Sequence, residues 1–181
     1  MKKIIAILVA VLTICACAFS ASAATGISAD EKKIVNALSQ KITMASGKVV
    51  ALPDKYINQA EDYLTKAELT SDQITSILGY IKNAQNAVKA SKAQSLSVAE
   101  ESVKKEVVKE AQAAAAVINA TLSVASTPVT DNKGQVTANY AVSLVFNENS
   151  NVEGYTSGTK ITLDTKDSEI VQTGAEGSVM A

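Results

Sequence analysis

The stretch from Ser97 to Leu122 constrains the fold most, because the period of the apolar residues changes there. Its apolar residues recur every three or four positions, which places one set on a single helix face: Val103, Val107, Ala111, Ala115 and Ile118. Ser97 and Glu100 have capping-box spacing, which predicts that the helix begins at Ser97. The pattern upstream is helical, whereas the pattern downstream alternates. We therefore expect this helix to join a helical half to a strand half.

Three more amphipathic helices are predicted upstream, within residues 27–118. Their start signals are the capping-box pair Ser28 and Glu31, the Pro53-Asp54 dipeptide, and the capping-box pair Thr70 and Gln73. The first helix is expected to end at Ser46-Gly47, since glycine adopts the left-handed conformation common at helix ends. These three helices and the helix after Ser97 together predict an N-terminal bundle of about four helices.

Residues 119–171 are predicted to form a small antiparallel meander. Every second residue of Val136–Phe146 is apolar, from Val136 to Phe146, as in a half-buried strand. Residues 121–124 and 159–163 read as two further strands, and Pro128 favours an edge position because it lacks an N–H donor. The predicted fold class is α+β, with the meander packed on the last helix and residues 172–181 as a flexible tail.

The first 23 residues have the composition of a signal peptide. Two lysines precede an apolar run over residues 4–14, and small residues occupy the positions that signal peptidase reads: Ala21, Ala23 and, after the cut, Ala24. The apolar run is shorter than a membrane-spanning helix requires. We therefore expect export, cleavage after Ala23 by signal peptidase, and an extracellular or cell-surface location.

A second interpretation of the leader remains open. Residues 14–17, Ile-Cys-Ala-Cys, resemble a lipobox, in which Cys17 would be lipidated and become the mature N-terminus. Either processing event removes Cys15 from the mature chain. A disulfide framework is therefore not expected, and stability should come from packing.

Composition excludes several kinds of chemistry. The chain has no histidine, and its two cysteines lie in the leader, so thiol catalysis and structural zinc sites are not expected. Removing Lys2 and Lys3 with the leader leaves 15 lysines against 18 acidic residues, a net charge of −3, and all the basic residues are lysines. Such a chain is a poor candidate for binding nucleic acid. We expect no cofactor and no metal.

Two patterns resemble catalytic pairs but have simpler explanations. Residues 102–105 and 157–160 both match the Ser-x-x-Lys spacing of acyl-transfer centres, without the accompanying motifs. Adjacent acids occur three times: Asp30/Glu31, Glu61/Asp62 and Glu100/Glu101. Neighbours on a helix point about 100° apart, so these pairs are interpreted as caps and solvated faces. Asp164, Asp167 and Glu169 form an acidic cluster without the order of ligands found in an EF-hand.

The C-terminal residues resemble a known targeting signal. Ile170, Val171, Gln172, Thr173 and Gly174 are similar to the L-P-x-T-G sorting signals of Gram-positive surface proteins, with Ile for Leu and Val for Pro. The resemblance implies that sortase cleaves between Thr173 and Gly174 and links the threonine to the cell wall. It also implies that the natural chain continues past Ala181 into a membrane span.

These observations predict a non-catalytic exported protein of the bacterial cell envelope that acts by display or interaction, with its ligand unidentified. Two alternatives stay open. One is a small secreted hydrolase that uses carboxylates or a Ser/Lys pair. The other is a lipid-anchored binding module attached through Cys17.

Overall fold

The computed structural model describes residues 26–52, 54–65, 67, 69–94, 99–130, 136–147 and 160–164. In parts of the second helix and of the second sheet, the description covers the backbone alone. The elements in chain order are α1 (Glu31–Leu38), β1 (Ile42–Thr43), β2 (Val49–Val50), α2 (Asp54–Leu64), α3 (Ser71–Ala90), α4 (Glu101–Val117), β3 (Ala120–Thr130), β4 (Val136–Phe146) and β5 (Lys160–Asp164). The class is mixed α+β.

The predicted N-terminal bundle of about four helices is wrong, because a two-stranded sheet interrupts the helices. Helix α1 ends at Leu38, and β1 then pairs antiparallel with β2, with Ile42 opposite Val50. Gly47 has φ +80°, but it serves the turn between these strands rather than a helix end. The Met44 N–H donates to Lys48 O at 2.8 Å and closes the turn. The β-branched residues on both sides of this turn suit strands better than a helix.

Helix α3 is the central element, because it contacts α1, β1 and α4. Its start confirms the predicted capping box: Gln73 N donates to Thr70 Oγ1 at 3.2 Å, and Thr70 N donates to Gln73 Oε1 at 2.9 Å. One face of the helix lies in the core, with Ile77 only 1% exposed. The contacts on several sides make α3 the support for its neighbours.

Helix α4 contacts α3 and also strand β3. The chain turns from helix to strand at Asn119, whose φ of 55° is left-handed. Asparagine tolerates this conformation better than most residues do. The Asn147 N–H donates to Asn119 O at 3.0 Å and ties this turn to the end of β4.

The second sheet is antiparallel, with strand order β3-β4-β5. The predicted strand over Val136–Phe146 is confirmed with the same bounds. Pro128 lies in β3, an edge strand of the described sheet, so the structure confirms that prediction as well. Leu122 and Leu144 are opposite each other and both buried, which places this part of the alternating face in the core.

The core is continuous from the helices to the sheet and is mainly aliphatic. It includes Ile34, Leu38, Val50, Tyr63, Leu64, Ile77, Val88, Val107, Ala115, Ile118, Leu122 and Leu144. None of the helices that the structure describes is both long enough and apolar enough to cross a membrane.

Candidate functional site

The residues that the sequence singles out for processing lie outside the described part of the chain. These are the cleavage-site residues Ala21, Ala23 and Ala24, the lipidation candidate Cys17, and the sorting-like residues Ile170, Val171, Gln172, Thr173 and Gly174. Their assignments stay predictions from sequence.

The Ser-x-x-Lys pattern at residues 102–105 occupies the first turn of α4. Ser102 and Lys105 are both exposed. A lysine that acts as a base in such a centre is normally desolvated, a condition that this position does not meet. The neighbouring Lys104 donates instead to Glu101 Oε1 at 2.7 Å, and this bond lowers the pKa of Glu101. The second pattern, residues 157–160, has its serine outside the described residues.

The acids of the first pair have separate structural roles. Asp30 Oδ1 accepts from Lys33 Nζ at 2.7 Å on an exposed surface. Glu31 is buried, and its carboxylate accepts from Ser28 N at 2.9 Å and from Leu69 N at 3.3 Å. Glu31 N donates in turn to Ser28 Oγ at 3.2 Å, so the predicted capping box is confirmed. Glu31 therefore closes its own helix start and also holds the chain just before α3.

Glu100 has a different role from the predicted one. It occupies the N-cap position of α4, which begins at Glu101, so the helix start predicted at Ser97 is wrong. Glu100 Oε2 accepts from Ser91 Oγ at 2.6 Å, and Oε1 accepts from Lys92 N at 3.2 Å. The Ser91 hydroxyl is the main reason that the pKa of Glu100 is lowered, with backbone N–H donors adding to the effect. This carboxylate thus ties the end of α3 to the start of α4.

Two buried polar side chains bridge α3 to its neighbours. Gln85 Nε2 donates to Ala37 O at 2.8 Å, near the C-terminal end of α1. Glu110 of α4 accepts from Asn83 Nδ2 of α3 at 3.0 Å, and Lys109 Nζ lies 3.5 Å from Glu110. Sequence reasoning missed these contacts. The available signal was a polar residue at helical spacing from apolar ones: Gln85 lies four positions after Ile81, and Glu110 lies three positions after Val107.

Glutamine side chains also reach backbone carbonyls at the ends of other elements. Gln73 Nε2 donates to Val117 O at 3.1 Å, in addition to its part in the capping box. Gln112 Nε2 donates to Leu122 O at 3.3 Å and links α4 to β3. The last carbonyls of a helix have no partner within the helix, so the bond to Val117 satisfies a group that needs one.

A shallow depression lies between the end of α1, the first sheet and α3. It is lined by Leu38, Gln40, Ile42, Val50, Ala51, Leu52 and Gln85, and it has room for about one water molecule. Gln85 already uses its amide N–H to bind Ala37 O. The depression therefore offers little space for a small-molecule ligand.

The described polar groups mainly hold elements together. Within the described residues, three or more acidic, histidine or cysteine side chains nowhere gather in a way that could hold a metal ion. The carboxylates above accept hydrogen bonds from backbone, hydroxyl, amide or lysine donors. Such an arrangement stabilises the contacts between helices.

No protein-family model, curated protein or solved structure matches this chain.

Proposed function

We propose that this chain is a non-catalytic exported protein of the bacterial cell envelope that acts by display or interaction. The observation that carries the proposal is the N-terminal segment, in which Lys2 and Lys3 precede the apolar run of residues 4–14 and the Ala21-Ser22-Ala23 sequence. The pattern indicates both that the chain leaves the cytoplasm and where the leader is removed.

The resemblance of Ile170–Gly174 to sorting signals supports a surface location. Thr173 and Gly174 keep the residue pair between which sortase cleaves. Polar residues precede the motif from Thr165 to Glu169. In this proposal signal peptidase, sortase and the cell wall are the partners, and the folded part of the chain is displayed outside the cell.

Processing of the N-terminus tests the export step directly. The chain is expressed with its own leader in a Gram-positive host, and the N-terminus of the released protein is read by mass spectrometry. We expect a chain that begins at Ala24. Ala23→Tyr should block cleavage because the enzyme requires a small residue there, whereas Ser22→Tyr, at the variable middle position, should not.

The outcomes separate the proposal from its alternatives. A lipid-modified Cys17 would overturn cleavage after Ala23 in favour of a lipid-anchored binding module. A protein retained in the cytoplasm with residues 1–23 intact would overturn export. Hydrolysis of wall glycans or peptides that a single Ser102→Ala or Lys105→Ala substitution abolishes would establish the hydrolase alternative.

Wall attachment is tested in cells that produce the natural gene product. Thr173→Ala should abolish the covalent link to the wall and so remove the protein from the wall fraction, whereas Gln172→Ala, at the variable position of the motif, should leave attachment unchanged. Attachment that survives Thr173→Ala would show that the motif is not used.

A further inference from the structure

Two segments of the chain carry lysines without any acidic residue. Residues 34–52 and 73–91 contain four lysines and no aspartate or glutamate, although the whole chain has 18 acidic residues. All four lysines are exposed: Lys41, Lys48, Lys82 and Lys89. Within the described residues, the ion pairs are made by other lysines of the chain. The ammonium groups of these four lysines are therefore open to a partner from outside.

The fold brings the two segments together. Ala45 N donates to Lys89 O at 2.8 Å, which fixes the turn between β1 and β2 at the end of α3. Met44 N donates to Lys48 O at 2.8 Å, so Lys48 lies beside the same turn. Lys82 precedes Lys89 by seven positions, or nearly two whole turns, so both lie on one side of α3, about 10 Å apart along its axis.

The shallow depression connects Lys41 to these lysines. Gln85 lines it from α3, and Gln85 lies three positions after Lys82 and four before Lys89, which places it on the same side of the helix. Gln40, the residue before Lys41, lines the depression from the other segment. The four lysines therefore lie around one region of the surface, which we call the lysine face.

The acidic residues of α1 and α4 that contact α3 or its flanks lie elsewhere. Glu31 binds the backbone just before α3, at the opposite end of the helix from the β1-β2 turn. Glu110 contacts α3 through Asn83, which is about 100° around the helix from Lys82. Glu100 lies past the end of α3, where it already accepts two hydrogen bonds. The lysine face is therefore a positive surface on a chain whose net charge is negative.

We propose that the lysine face binds a flexible anionic polymer that repeats phosphate groups; that this polymer lies outside the cell rests on the proposed function. Lys89 has a local role as well, because a cation in the last turn of a helix interacts favourably with the helix dipole. That explanation does not apply to the other three lysines. A lysine ammonium is a point charge on a flexible stem, so it attracts phosphate without imposing the fixed geometry of an arginine fork.

The composition around the lysines favours such a polymer over a folded protein or a nucleic acid. The exposed residues between the lysines are small or polar: Ser39, Gln40, Thr43, Ala45 and Asn86. Protein interfaces are enriched in aromatic residues, methionine and arginine, and they are depleted in lysine. Single-stranded nucleic acids are held by aromatic side chains on which the bases stack. The residues of this surface supply charge and neither of those features.

Binding of long-chain inorganic polyphosphate to the full chain tests the proposal. Fluorescence anisotropy of the labelled polymer gives the affinity at several salt concentrations. Each neutralised phosphate releases counterions, so four lysine contacts predict a slope of about −3 for the logarithm of affinity against the logarithm of salt concentration. K82Q/K89Q removes two contacts and should halve this slope and weaken binding by about tenfold at about 0.1 M salt.

The matched control removes the same charge elsewhere. K32Q/K105Q changes two exposed lysines outside the lysine face and should bind polyphosphate within about twofold of the wild type. K41Q/K48Q repeats the test from the other segment and should weaken binding as K82Q/K89Q does. Circular dichroism melts that match the wild type show that the variants remain folded.

Three results would overturn the proposal. The first is no binding of polyphosphate by the wild type at about 50 mM salt, where charge attraction is strong. The second is equal weakening by K82Q/K89Q and K32Q/K105Q, which would mean that net charge alone acts. The third is tighter binding to phosphatidylglycerol vesicles than to polyphosphate, lost in K82Q/K89Q, which would assign the face to a membrane surface. None of these readouts uses signal peptidase or sortase, so failure here is distinguishable from failure of the Ala23→Tyr test.

Discussion

Replacing Gln85 by glutamate tests whether one buried hydrogen bond holds α1 against α3. Gln85 is 7% exposed, and its amide donates to Ala37 O at 2.8 Å. The substitution keeps the shape of the side chain but exchanges the N–H donor for a carboxylate. That charge would face a carbonyl oxygen near the C-terminal end of α1, where the helix dipole is negative.

The expected cost follows from burial and from the lost donor. Gln85→Ala removes one hydrogen bond, about 1 kcal/mol, and one buried methylene, about 0.8 kcal/mol, for a total of about 2 kcal/mol. Gln85→Glu leaves no cavity but buries an unpaired charge, which costs about 3–5 kcal/mol at neutral pH. The isosteric variant should therefore be less stable than the truncated one.

The cost of Gln85→Glu should also depend on pH. Burial raises the pKa of the introduced carboxyl in the folded state above its unfolded value, so the native state binds the proton first. The protonated form can donate to Ala37 O again. Relative to wild type, the destabilisation should therefore be largest above the folded-state pKa and shrink as pH falls through it.

Urea unfolding followed by circular dichroism at pH 7 and at pH 4.5 measures both effects. Asn86→Asp makes the same amide-to-acid change at the next, exposed position and should shift stability by less than about 0.5 kcal/mol. If Gln85→Glu costs no more than Asn86→Asp, or if its cost is the same at both pH values, the hydrogen bond to Ala37 does not stabilise the fold as argued.

Three other predictions concern strand β4, the turn at Asn119 and the loss of stability at low pH. Leu144→Asp should lower the free energy of unfolding in urea by roughly 3–5 kcal/mol because it buries a charge. Ser143→Asp, on the other face of the strand, should lower it by less than about 1 kcal/mol. Equal losses would contradict the register. Asn119→Val should be less stable than Asn119→Gly by roughly 1–2 kcal/mol, since the left-handed φ of 55° disfavours a β-branched residue. Equal melting temperatures of the two variants would refute this. Because the pKa of Glu100 is lowered in the folded state, its carboxylate contributes stability above its unfolded pKa, and that stability is lost as pH falls through the folded-state pKa. Glu100→Gln and Ser91→Ala should therefore both lose less stability on acidification than the wild type does. Thermal melts in which either variant keeps the wild-type dependence of stability on pH would exclude this contribution.

Local signals in the sequence were sufficient to locate several elements. The capping boxes at Ser28 and Thr70 involve residues three positions apart, so their hydrogen bonds could be predicted without any knowledge of the fold. An apolar residue at every second position likewise predicted the strand Val136–Phe146 with its observed bounds. In each case the residues that determine the structure are neighbours in the chain.

Sequence reasoning failed where two nearby segments had to pair with each other. The sequence predicts that the first helix ends at Ser46-Gly47, but residues 42–50 form the β1-β2 hairpin. Gly47 has a left-handed φ under both interpretations, so its conformation alone does not distinguish a helix end from a turn. The hairpin is also held by a contact with another element, because Ala45 N donates to Lys89 O at the end of α3.

Local sequence patterns predict the strand Val136–Phe146 and the helix caps at Ser28 and Thr70, because the residues involved are neighbours in the chain. The packing of the helices decides which polar residues on apolar faces are satisfied, and by which partners. Gln85 and Ala37 are 48 positions apart, and Asn83 and Glu110 are 27 apart. A buried polar group is tolerated only when it finds a partner, and a partner so distant in the chain is brought near only by the packing of α1 and α4 on α3.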